Sequence, residues 1–222
     1  MRKNPLSSGS YYHIINRSIA KYEIFNTGDD CRRIIEILDL YRFSDFPCKY
    51  SKFTRLSPGH QKAIANDIKK SGETMVEIIA YCIMSTHIHL LLKQEADNGI
   101  SRYMAKVLGS YSLYFNIKHK RRGPLWEGRF KNVLLETDEQ MLHLTRYIHL
   151  NPVSAGLVKK PEDWQYSSYH EYVSKDHIDG MCRFEGLMDI DPKEYKKFVR
   201  DRIAYQKELS KIKHFLIEDY SG

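Results

Sequence analysis

Two histidines stand two residues apart in His87-Ile88-His89. On an extended strand alternate side chains share a face, so both imidazoles project to one side and Ile88 to the other. Such a pair suits one divalent metal ion or a phosphate. Burying two imidazoles for packing alone would leave ring nitrogens in need of partners. A three-letter pattern also arises by chance, and structural or exposed histidines are the competing account. Further on, His143, Tyr147 and Asn151 recur at i, i+4 and i+8, a polar stripe beside Met141, Leu144 and Ile148. Tyr147 supplies a nucleophile and Asn151 a neutral oxygen ligand. The structural alternative is a half-buried Tyr147 with Asn151 capping a helix end before Pro152.

A third chemical feature is charge. The 222-residue chain carries a formal net charge of +7 and a sequence pI near 9.1. Residues 102–131 hold eight basic side chains, Arg102, Lys106, Lys118, Lys120, Arg121, Arg122, Arg129 and Lys131, against the single acid Glu127, so this segment alone holds the whole excess. Aromatic residues interleave with these cations, Trp126 among them. Cations closing a helix also complement its dipole, but that need is smaller than the charge present. The pattern fits a phosphate backbone, with aromatics available to stack on unpaired bases.

The elements that must position these residues follow from periodicity. Residues 11–17 are rich in β-formers and read as a strand. Ile34, Ile35, Leu38 and Tyr41 mark one face of a helix after a turn at Thr27–Asp30. Residues 42–60 read as an irregular connection, and His60–Ser71 as a short helix stopped by Gly72. Met75–Met84 is almost continuously apolar, which predicts a central strand covered on both faces. After a tight break at Ser85-Thr86, His87–Leu92 should pair with it as an antiparallel hairpin. Met104, Val107, Leu108, Tyr111 and Phe115 mark a long helix capped by Ser101, and residues 130–136 a further strand. Thr137 and Gln140 form a capping-box pattern that opens the helix of the polar stripe, which Pro152 should end. A Trp/Tyr-rich stretch at 164–172 and a helix over Asp191–Leu216 complete the chain. The order predicts an α+β fold with a mainly antiparallel sheet.

Composition bounds the rest. Apolar residues make up 42% and charged residues 28% of the chain, a globular balance with material for a core. The four cysteines are scattered without a CxxC pair, so free thiols are expected. No run approaches the ~20 apolar residues of a membrane span, and residues 1–10 lack a secretory apolar stretch. A cytoplasmic protein with no membrane partner is the expectation.

Taken together, the motifs Met84-Ser-Thr-His-Ile-His-Leu-Leu-Leu92, Gly123-Pro-Leu-Trp-Glu-Gly-Arg-Phe130 and Arg146-Tyr-Ile-His-Leu-Asn-Pro-Val-Ser-Ala-Gly-Leu-Val158 resemble the REP-associated branch of the HUH single-tyrosine (IS200-like) transposases. Tyr12-His-Ile-Ile-Asn-Arg17 and Trp164-Gln-Tyr-Ser-Ser-Tyr169 are similar to that family's opening strand and to its segment past the last helix. The similarity runs over roughly residues 11–172, in the family's order. Ser85-Thr86 departs from the family's usual Pro-Asn before the histidine pair, and the chain between 42 and 72 is longer than expected.

The resemblance implies a ferredoxin-like catalytic domain, taken as residues 1–172; the helical extension over 173–222 is read from the sequence pattern. It implies an enzyme that nicks and rejoins single-stranded, hairpin-associated DNA. By the resemblance His87, His89 and Asn151 are ligands of a divalent metal, Mg²⁺ or Mn²⁺, and Tyr147 is the nucleophile of a covalent 5′-phosphotyrosine. His143, one turn earlier, could assist proton transfer. Arg102, Lys106, Lys118, Lys120, Arg121, Arg122, Trp126, Arg129 and Lys131 are the expected DNA-binding residues. No nucleotide cofactor is implied, because the ester energy is kept in the phosphotyrosine; a homodimer is left open. The competing functions are a non-catalytic binder of hairpin DNA or RNA and a metallophosphoesterase of small substrates. The first has no use for Tyr147 as a nucleophile, and the second leaves the basic segment idle.

Overall fold

The computed structural model describes residues 5–174, 180–184 and 191–205. Four strands, β1 (Tyr11–Arg17), β2 (Val76–Ile83), β3 (His87–Gln94) and β4 (Lys131–Leu135), form one antiparallel sheet in the order β2-β3-β1-β4. Helices α1 (Gly28–Tyr41), α2 (Tyr50–Phe53) and α3 (Pro58–Ser71) lie between β1 and β2, and α4 (Gly99–Lys118) between β3 and β4. This βαββαβ order with β1 and β3 innermost is the ferredoxin-like, α+β arrangement expected. Helices α5 (Asp138–Ser154), α6 (Tyr169–Val173) and α7 (Pro192–Arg200) follow.

The strands alternate. Tyr12, Ile14, Ile88 and Leu90 are buried on one face, while His13, Arg17, His87 and His89 share the other. Helices α1 and α4 pack on each other and cover the first face; α5 packs on β2 and β3 from the second. The hairpin expected between β2 and β3 is present, closed by Met84 N–H on the His87 carbonyl. Its turn is held from outside: the Ser85 carbonyl accepts from Ile24 and Phe25, and the Thr86 carbonyl from Ser18. That anchoring fixes where β3 starts, and so where His87 points.

Several boundaries differ from expectation for physical reasons. The apolar segment predicted as a central strand, β2, is an edge strand. Its free edge is covered by later chain: Ile83 N–H bonds the Tyr166 carbonyl, Ser168 N–H the Tyr81 carbonyl, and Arg183 N–H the Ile78 carbonyl. An edge sheathed in this way looks as apolar as an interior strand. The stretch 42–60 contains the short α2, and α3 starts earlier than His60, with Ser57 as its cap and Pro58 in its first turn. Gly72 stops α3 at φ 69°, as expected. Helix α4 is led by Asn98 rather than Ser101, because the Gln94 side chain accepts from Ile100 N–H. Helix α5 runs through Pro152 to Ser154. A proline in the last turn removes one intrahelical bond, and Ala155 N–H still reaches the Asn151 carbonyl. Thr137 caps α5 by accepting from Gln140 N–H, while the Gln140 side chain accepts from Glu136 N–H, one residue earlier than in a standard box.

Helix α7 falls within the C-terminal helix predicted for Asp191–Leu216; the part beyond residue 205 lies outside the described residues. It docks on α5 through a buried polar node. His149 of α5 lies 2.6 Å from the Tyr195 hydroxyl through Nδ1 and 2.8 Å from the Ser168 hydroxyl through Nε2. All four cysteines are free thiols. No helix among the described residues is long and apolar enough to cross a membrane.

Candidate active site

The second face of the sheet gathers three imidazoles. His87 and His89 stand edge to face on β3, ring centroids 5.0 Å apart, as the HxH spacing requires. The third, His13, comes from β1. Antiparallel pairing sets Ile15 opposite His89 and Arg17 opposite His87, which brings His13 diagonally onto His89. Its Nε2 lies 3.0 Å from His89 Nδ1, with the ring planes 17° apart. His87 has its own Nδ1 partner, the Thr86 hydroxyl at 2.9 Å.

Burial keeps the three rings uncharged. It pushes the pKa of His13 down to about 4; burial, then the charge of Arg17, does the same to His87. His89, only 2% exposed, is pushed well below the ordinary histidine value by burial and then by its two imidazole neighbours. Neutral rings with their Nδ1 atoms engaged leave Nε2 as the atom through which each β3 histidine could bind a cation.

Helix α5 lowers Tyr147 onto this cluster. Its ring meets His89 edge-on at 5.7 Å and His13 at 6.2 Å. Burial raises the pKa of its phenol, while the nearby Arg17 guanidinium acts in the opposite direction and favours the phenolate. Asn151, one turn on, is partly buried, and its side-chain N–H donates to the Tyr147 carbonyl at 3.1 Å. The amide oxygen is the atom Asn151 could offer to a cation. Among the described residues no three His, Cys, Asp or Glu side chains form a group that could by itself hold a metal ion.

His143 sits elsewhere. It is exposed, its Nδ1 accepts from Arg146 at 2.6 Å, its Nε2 lies 3.8 Å from Glu139, and its ring is edge-on to Phe198 of α7 at 5.7 Å. Its contacts are with the outer surface and α7, and none joins it to the imidazoles among the described residues.

The basic segment divides into groups with different surroundings. Lys118 pairs with the fully buried Asp30 at 2.6 Å, beside Thr27 and Tyr114. Arg121 ties the turn after α4 by donating to Asn116 and to the Pro124 carbonyl. Trp126 packs on Phe25 and Tyr111 and donates to the Leu108 carbonyl. These three build the fold. Arg102 is exposed on α4, and Lys120 and Arg122 on the turn after it. Lys106 lines a cleft of about 830 Å³ between α4 and the 46–55 segment, together with Arg33, Lys49 and Arg55. Arg129 and Lys131 lie with Arg17 around a smaller hollow of about 260 Å³ that also touches Glu127. This last group shares its hollow with Arg17, which the β1–β3 register sets opposite His87.

Two site residues, His13 and Arg17, were not singled out from the sequence, although both lie in the opening strand. The available signal was β alternation, which places residues 13 and 17 on one face; what no local pattern contains is that β1 pairs with the histidine strand.

Residues 46–151 match the family model described as "Transposase IS200 like". A Haemophilus influenzae chain that carries the REP-associated tyrosine transposase name is 31% identical over 107 residues, 44% of this chain and 61% of that one. The REP-associated tyrosine transposase of Escherichia coli K12 is 26% identical over 109 residues, 49% of this chain and 63% of that one. The chain thus spans less than two thirds of the length of either relative. Among solved structures, a REP-associated tyrosine transposase bound to a REP hairpin shares the fold, with a TM-score of 0.53 at 18% identity over 86% of this chain and 94% of that one.

Proposed function

Because residues 46–151 match the family model described as "Transposase IS200 like", we propose that this protein cuts and rejoins single-stranded DNA beside hairpins through a covalent tyrosine intermediate. The observation that carries the proposal is the approach of Tyr147, from a separate element, to His89 of the histidine pair. A lone tyrosine or a lone histidine pair has many structural uses; a tyrosine resting on a neutral, partly buried imidazole cluster next to an arginine has the parts of a phosphoryl-transfer site.

The donor set fits a divalent cation. His87 and His89 would hold it through Nε2 and Asn151 through its amide oxygen. When bound, it would supply Lewis-acid polarisation of the scissile phosphate. Two imidazoles favour a softer ion such as Mn²⁺ over Mg²⁺, which prefers oxygen ligands.

The chain's own groups do the rest. The Tyr147 oxygen attacks phosphorus and becomes esterified to the 5′-phosphate of the strand downstream of the break. The phosphorus–O3′ bond breaks, and the departing 3′ oxygen takes up a proton equivalent to the one the phenol gives up. Attack by another 3′-hydroxyl on the phosphotyrosine reverses these bonds and rejoins DNA. Arg17 is placed to favour the phenolate, and with Arg129 and Lys131 to hold flanking phosphates. No role is given to His143.

The test is incubation with labelled single-stranded hairpin oligonucleotides and Mn²⁺ or Mg²⁺, followed by denaturing electrophoresis. A denaturation-resistant adduct that disappears in Tyr147→Phe supports the proposal. Tight hairpin binding without an adduct under either ion would instead favour a domesticated, non-catalytic binder.

A further inference from the structure

His13 lies outside both the histidine pair and the stripe of α5, yet its ring is bound to His89. Only one proton fits between His13 Nε2 and His89 Nδ1 at 3.0 Å. If that proton belongs to His89, the lone pair of His89 Nε2 is available to a cation. If it belongs to His13, a neutral His89 carries its proton on Nε2, and that atom cannot ligate.

We propose that His13 is a positioning residue for the cation site: it accepts the Nδ1 proton of His89 and thereby fixes the tautomer and ring orientation that present His89 Nε2. The proposal rests on the cation-binding role given above to His87 and His89. His13 does not act as a third ligand through Nε2, because that atom is committed to His89. Thr86 does the corresponding job for His87 from a hydroxyl that either donates or accepts, so the tautomer of His87 is less constrained. The near-parallel His13 and His89 rings, 5.3 Å between centroids, also form the surface on which Tyr147 rests. One side chain on β1 thus steadies both a ligand and the nucleophile.

Four variants and one spectrum test this. Mn²⁺ binding to the full chain would be measured by titration with electron paramagnetic resonance of the free ion. His13→Phe keeps a ring but no acceptor, and should weaken Mn²⁺ binding by about 10- to 100-fold, the usual range for loss of such a partner. His13→Gln places an amide oxygen near the Nε2 position and should stay within a few-fold of wild type. His13→Asn is polar but too short, and should resemble His13→Phe. Wild-type affinity in His13→Phe, or equal losses in the Gln and Phe variants, would overturn the proposal. His89→Ala separates the two readings: if it leaves Mn²⁺ binding intact, the cation site itself is wrong. If it abolishes binding while His13→Phe does not, only the role of His13 falls. The spectrum needs no variant. Long-range ¹H–¹⁵N correlation on the wild-type protein should find His13 as the Nδ1–H tautomer, against the Nε2–H form a free imidazole prefers. His13 protonated on Nε2 would overturn the assignment even if every variant misfolded.

Discussion

The Tyr147 ring stands edge-on to His89, centroids 5.7 Å apart and planes at 85°. This contact joins the last helix of the matched segment to the second strand of the β2–β3 hairpin, and it separates Tyr147 from the other tyrosines near the basic segment. Tyr111 is fully buried and its hydroxyl donates to the Ile24 carbonyl. The Tyr114 hydroxyl donates to Asp30. Tyr147→Phe should therefore cut formation of the covalent DNA adduct by at least ~10³-fold, the scale of losing a nucleophile. Tyr111→Phe and Tyr114→Phe should still form it. An adduct that survives in Tyr147→Phe and vanishes in either of the others would place the nucleophile on α4.

His143 provides a contrast on the same helix. Its contacts among the described residues are Glu139, Arg146 and Phe198, on the outer surface and α7. His143→Ala should leave the single-turnover rate of adduct formation within about 3-fold of wild type, less than the ~10²-fold typical of losing a general acid or base. A larger loss, at unchanged hairpin affinity, would restore the proton-transfer role that its spacing suggested.

The basic segment should separate by surroundings. Lys118 answers the buried carboxylate of Asp30, and Lys118→Ala should lower unfolding free energy by about 2 kcal/mol, as for a lost hydrogen bond to a charged group. Its effect on the salt dependence of DNA binding should be small. Arg129 and Lys131 are exposed beside Arg17. Replacing both with Ala should reduce the slope of log affinity against log salt by roughly 1.4, about 0.7 per single-strand phosphate contact, with little change in stability. Denaturant melts and binding isotherms at several salt concentrations read both quantities. If Lys118→Ala carries the change in slope and the double variant does not, the strand lies along α4.

How much of this was legible follows from which interactions are local. Strand alternation put His87 and His89 on one face, and helical spacing put Tyr147 one turn from Asn151; both are short-range facts that the fold keeps. His13 and Arg17 became site residues only through the register that sets Ile15 against His89 and Arg17 against His87. Nothing within β1 encodes that pairing. The same holds for β2, whose apolar run reports coverage without telling whether another strand or the 166–168 segment provides it. Charge was misleading for a different reason. The excess in residues 102–131 is real, but Lys118 and Arg121 are engaged by partners far away or in the turn itself, and composition counts a paired cation like a free one.

The buried His149 gives the fold an acid-sensitive joint. It is fully buried, bridges the hydroxyls of Tyr195 and Ser168, and burial brings its pKa down to about 3. A histidine whose folded pKa lies below the unfolded value, about 6.5, is neutral in the native state and takes up a proton on unfolding. Its contribution is therefore fully present above pH ~6.5 and is lost progressively as pH falls toward 3. Between pH 7 and 4.5 this one group should remove about 2.5 kcal/mol. His149→Gln cannot titrate; it should be less stable at pH 7, by about 1–3 kcal/mol for imperfectly replaced hydrogen bonds, but should lose less between pH 7 and 4.5. His13, His87 and His89 titrate in the same direction in both proteins, so the difference in slope isolates residue 149. Denaturant midpoints at the two pH values measure it, and equal pH slopes in wild type and His149→Gln would show that this joint takes up no proton on unfolding.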